Sequence, residues 1–112
     1  HMSGGHFDYK QHFIEIIADS IEHELEKQGK NKSKEELYMD EEYYKKYPEE
    51  KIYPVYSKKV QKELNNAIKH LRAAYIYAQR ADWFLSGDDG EESFLSRLSK
   101  DIKDLKERQK YE

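Results

Sequence analysis

The sequence predicts an all-α protein: three long helices in a mostly antiparallel bundle, with a tyrosine-rich, partly helical insert between the first and the second. Three observations predict it. Apolar residues recur three and four apart in three separate segments, which is the period of an amphipathic helix. Cap and stop residues stand at the ends of those segments. No stretch alternates apolar and polar residues as a strand would, and no internal repeat occurs. At 112 residues the chain is expected to form one domain, with a short lead at 1–7 and the insert at 30–54. His1 and Met2 read as a cloning junction and start residue, so His1 is set aside.

The first helix is expected over 9–28. Phe13, Ile14, Ile17, Ile21 and Leu25 form its stripe, and His12, Glu15, Asp19, Glu22 and Glu26 form a solvated face. Asp8 with Gln11 reads as a capping box, and Gly29 as the stop. The insert that follows, "KNKSKEELYMDEEYYKKYPEEKIYP", has little apolar periodicity. Ser33 with Glu36 is a second capping box there, while Pro48 and Pro54 interrupt anything longer. Tyr38, Tyr43, Tyr44, Tyr47, Tyr53 and Tyr56 crowd this segment, and their rings are expected to lie on the bundle.

The second long helix is expected over 57–86. Val60, Leu64, Ala67, Leu71, Ala74, Ala78, Ala81 and Leu85 alternate spacings of four and three, a heptad seam. Such a helix is roughly 45 Å long at 1.5 Å per residue. That is long for a compact globule of this size, so it must span the molecule or reach a partner. The alanines let another helix approach closely, within the chain or between subunits. The last helix starts after Gly90 and runs to about Gln109, on a stripe of Phe94, Leu95, Leu98, Ile102 and Leu105.

Composition narrows the function. The net charge is −3, which supplies no basic field for a nucleic-acid backbone. There is no cysteine, so disulfides, thiolate zinc sites and cysteine nucleophiles are excluded. No apolar run reaches the length of a membrane span, and a cytoplasmic protein is expected. Metal and catalytic motifs fail on inspection. There is no Glu-x-x-His pair, no His-Glu-x-x-His, no phosphate-binding glycine loop and no Gly-x-Ser-x-Gly. No cofactor and no catalytic residue is expected.

The densest stretch is "DWFLSGDDGEESF", residues 82–94. Most of it reads as a helix–helix corner. Gly87 suits a left-handed cap, and Asp89 with Glu92 suits a capping box for the next helix. The functional reading makes Trp83 a platform, with Asp88, Asp89 and the flanking arginines Arg80 and Arg97 around it. The second unusual stretch is "GGHFDY", residues 4–9. Gly4 and Gly5 could present backbone N–H groups to an anion, with the His6 imidazole beside them. In simple antiparallel packing the two stretches meet. The expected binding residues are therefore Gly4, Gly5, His6, Tyr9, Trp83, Asp88, Asp89 and Arg97.

"GGHFDY", together with "AYIYAQRADWFLSGDDGEESFLSRL", resembles a group of small uncharacterised bacterial and prophage-type proteins. The likeness covers both ends of the chain and skips the insert. The resemblance implies a mobile-element accessory protein. The leading expectation is a non-enzymatic helical binding module, homo-oligomeric with a dimer favoured. It would bind a host protein or sequester a small polar ligand such as a nucleotide signal. Two alternatives stand beside it: a small divalent-metal-dependent hydrolase using the corner carboxylates, and a purely structural oligomeric bundle.

Overall fold

A computed structural model describes residues 5–110 of the chain. Among these residues the fold is all-α, with no strand beyond one isolated bridge. The helices are α1 (His12–Glu26), α2 (Glu41–Lys46), α3 (Lys58–Leu85) and α4 (Glu91–Gln109). Two 3-10 turns, Lys34–Glu36 and Pro48–Lys51, flank α2. No helix among the described residues is long and apolar enough to cross a membrane.

The three long helices lie side by side with α3 in the middle. Both α1 and α4 pack on α3, and neither packs on the other. Among the described residues the long helices therefore form an open layer, with α1 and α4 on either side of α3. The molecule measures 63 × 33 × 16 Å and has a radius of gyration of 19.8 Å. A compact chain of this length would have a radius near 13 Å. A 16 Å thickness is little more than one helix with its side chains. The core is correspondingly small. Ala18 of α1, Ile68 of α3 and Leu105 of α4 are its buried apolar side chains, with Tyr44 buried separately in the insert.

α3 matches its sequence signals closely. The Ser57 side chain accepts from the Val60 N–H at 3.2 Å, and the helix ends at Leu85. Gly87 follows in the left-handed region, φ 85°. Its N–H bonds the Phe84 carbonyl, and the Asp88 N–H bonds the Trp83 carbonyl at 2.9 Å. This paired pattern is a Schellman cap, which turns the chain sharply into α4.

α1 starts later than the sequence suggests. Asp8 and Tyr9 both hold positive φ, 56° and 64°, so Asp8 is not the cap of a helix. Residues 7–10 instead form a tight turn, and Gln11 is the cap position. Two adjacent non-glycine residues in this region are strained and need outside support.

The insert is corrected as well. Within it α2 packs on the Pro48–Lys51 turn, and none of its helical pieces packs on the long helices. The Ser33–Glu36 capping box is present, and Asp40 caps α2 by accepting from the Tyr43 N–H. Tyr44 is buried inside the insert, and Tyr43 stacks against Tyr44 and Tyr47. The Glu50 carboxylate pushes the Tyr43 phenol up to about 12. A short backbone ladder closes its base. The Gly29 N–H bonds the Tyr53 carbonyl, Tyr53 bonds back to Lys30, and Lys32 bonds to Lys51. The tyrosines thus seal a small separate knob. At its base the ammonium of Lys27, the C-cap of α1, sits 4.4 Å from the Tyr53 ring centre, and the Tyr56 N–H donates to Gln28 Oε1 at 2.8 Å.

Candidate functional site

The lead and the end of α3 meet, and the residue that joins them is Asp82. Its side chain is 2 % exposed. The carboxylate accepts from the backbone N–H groups of His6 and Phe7, the latter at 3.2 Å. It also accepts from Gln11 Nε2 at 2.9 Å and from the Ser86 hydroxyl at 3.4 Å. Gln11 Nε2 also donates to Gln79 Oε1 at 2.7 Å, which orients the amide. Burial raises the carboxyl pKa most strongly as a single influence. The four donors together outweigh it and hold Asp82 below the ordinary carboxylate range.

The local chain follows from this contact. Gly5 has φ 56°, and a methyl group there would stand 2.6 Å from the Asp82 carboxylate oxygens. Only glycine permits the backbone to close over the acid at this point. The glycine-presented N–H groups expected to face an anion do face one, but it is the chain's own. The same contact supports the strained pair Asp8 and Tyr9.

A second polar cluster holds the α3–α4 corner. Asp89 has a side chain only 6 % exposed. Arg97 Nη1 donates to its Oδ1 at 2.9 Å, and Arg80 Nη1 lies 3.9 Å from its Oδ2. Arg80 also binds Asp101 at 2.6 Å and lies over the Trp83 ring, 4.8 Å from its centre. Asp89 was expected to cap α4. The cap position is Gly90, with no side-chain hydrogen bond, and Asp89 is instead committed to the two arginines.

The expected site residues therefore divide in two. Gly5 and His6 belong to the Asp82 contact, and Tyr9 follows it, exposed, with its ring 6.1 Å from that of His12. Trp83, Asp89 and Arg97 belong to the Arg80 cluster. Asp88 is exposed and takes part only through its backbone. Gly4 lies outside the described residues. No side-chain hydrogen bond or ion pair among the described residues links the two clusters. Nor do three metal-ligating side chains converge anywhere among them.

Asp82, Gln11 and Gln79 were not singled out as a site by sequence reasoning. A signal did exist. Tyr75, Gln79, Asp82 and Ser86 recur at helical spacing, a polar stripe beside the alanine seam. The Tyr75 hydroxyl meets His12 Nδ1 at 3.3 Å, so the whole stripe faces α1.

The layer has two unlike faces. On one, Arg72 pairs with Asp19 at 2.7 Å and reaches Glu22 at 3.6 Å. A groove of about 570 Å³ runs there, rimmed by Glu22, Glu26, Lys62, Lys69, Arg72 and Arg108. The other face, at 100° per residue, carries Phe13 and Ile17 of α1, the seam of α3, and Leu95 and Ile102 of α4. Tyr77, Leu95, Leu98 and Ile102 line one shallow hollow on it with Lys103 and Lys106 beside them, and in another Ile14 and Ala78 meet His6, Phe7, Asp8 and Lys10. Phe13 is 64 % exposed, Leu85 52 % and Leu95 56 %. Comparison with protein-family models, curated proteins and solved structures returns no match.

Proposed function

We propose that this chain is a non-enzymatic helical interaction module that works as a homo-oligomer. In this reading it is a mobile-element accessory protein of the kind its sequence resembles. It binds a host protein or a small polar ligand through groups that self-association leaves free. The observation that supports this most is the division of the layer into a charged groove and a face on which Phe13, Ile17, Leu85 and Leu95 stand exposed. Exposed apolar side chains gathered on one face suit a partner. Two layers stacked on their apolar faces would make the closed bundle that one chain does not.

The polar clusters support the same reading. Asp82 is filled by the lead; Asp89 Oδ1 accepts from Arg97, while its buried Oδ2 has no hydrogen-bond partner and faces Arg80 at 3.9 Å. A carboxylate set between two guanidinium groups is a poor candidate for holding a divalent ion. Trp83, at 36 % exposure beside Arg80, remains a usable contact for a partner.

Native mass spectrometry of protein purified gently from cells tests this. The expected result is an oligomer that carries a retained protein or small molecule, which Trp83→Ala or truncation before Phe7 releases. A bare monomer, or a turnover lost with Asp88→Asn or Asp89→Asn in a folded protein, overturns it.

A further inference from the structure

The seam of α3 is complementary to itself. In order it reads Val60, Leu64, Ala67, Leu71, Ala74, Ala78, Ala81, Leu85. Turn it end for end about a point between Leu71 and Ala74. Leu71 then faces Ala74, Leu64 faces Ala81, Ala67 faces Ala78, and Val60 faces Leu85. Each leucine at 64 and 71 falls on an alanine, the two alanines 67 and 78 meet between them, and Val60 meets Leu85 only at the ends. Laid parallel instead, leucine meets leucine at positions 64, 71 and 85, while alanine meets alanine at 67, 74, 78 and 81. No leucine then falls on an alanine. We propose that a second copy of this chain covers the apolar face, antiparallel, with a twofold axis crossing α3 between Leu71 and Ala74.

A twofold interface uses the same patch on both partners, so self-complementarity is what it requires. The patch is also large enough. Helices of 15, 28 and 19 residues give a footprint of roughly 900 Å² at about 10 Å width and 1.5 Å per residue. A stable interface needs about 800 Å² per partner. Rim charges do not choose the direction. Reversal brings Lys10 over Glu24 of the second copy, but it also sets Lys103 and Lys106 of the two α4 helices along one rim. Exposed pairs of this kind contribute little either way, so side-chain size decides.

The inference rests on reading the chain as a self-associating module, and it says which residues meet. Cysteine pairing tests it, because the chain has no cysteine of its own. Val60 and Leu85 are both exposed, so replacing them leaves the fold intact. Val60→Cys and Leu85→Cys are made in separate full-length chains, then mixed by unfolding and refolding together. The two positions lie about 37 Å apart along one helix. A disulfide needs α-carbons within about 7 Å. The expected result is a covalent dimer in the mixture and none from either chain alone. Covalent dimers from each chain alone overturn the antiparallel arrangement. Absence of any covalent dimer, whether sedimentation reports monomer or dimer, overturns the surface itself. If a partner is still retained by the wild-type chain in that case, the interaction-module reading stands and only this inference falls. A crosslinked dimer that retains nothing has the opposite meaning.

Discussion

Asp82 shows how one side chain can organise a terminus. Its ionised form is favoured in the folded protein, since its pKa there lies below the ordinary value. The stability it contributes is therefore present above its unfolded pKa of about 3.9 and is lost as pH falls through the lower folded value. Asp82→Asn keeps the shape and removes the charge. It should cost roughly 2–3 kcal/mol at pH 7, the scale of hydrogen bonds to a charged group. Urea denaturation at pH 7 and pH 3 measures this. The gap between the wild-type and Asp82→Asn chains should narrow at the lower pH, and an equal gap at both would refute the assignment. Sequence reasoning placed the two stretches at one end but missed the residue that joins them. Gln11 offered a plausible local role as a box partner for Asp8. Its real partners lie 68 and 71 residues away. Asp89 misled in the same way, since a cap is a local signal and Arg80 and Arg97 are not in its first turn.

Among the elements, α3 was the most legible, because its cap, seam and glycine stop all act within a few residues. The insert was the least legible. Its tyrosines suit a ring laid on a helix and a ring laid on another tyrosine equally well, and only the folded chain distinguishes them. Because the knob is tied at its base, it should be removable. Replacing residues 33–50 by Asn-Gly would join Lys32 to Lys51 across their existing backbone pair with a two-residue turn. The shortened chain should keep the helical circular-dichroism signal of α1, α3 and α4 and melt within a few degrees of the parent. A loss of cooperative melting would show that the insert supports the helices after all.

At the level of the whole molecule, thinness is the governing property. A single layer of helices has no inside, so residues that periodicity marks as core are core only if something covers them. Ala18, Ile68 and Leu105 are buried by the chain itself, whereas Phe13, Ile17 and Leu85 are not. Periodicity could identify the stripe of each helix. It could not say how many helices share a stripe, so it marked the bundle's helices without showing how far they close around one core.

The placement of α3 between two partners also sets an order of events. Its contact with α4 needs only the short corner at 86–90 to close. Its contact with α1 must close across the whole insert, and the Asp82 contact joins residues 76 apart. Loop-closure entropy favours the nearer pair, so the α3–α4 hairpin should form first and α1 should dock afterwards. Stopped-flow refolding can read this. Truncating Leu105 to alanine should mainly slow folding, while Asp82→Asn should mainly speed unfolding. A chain emerging from synthesis would then hold its first helix idle until its last one had arrived.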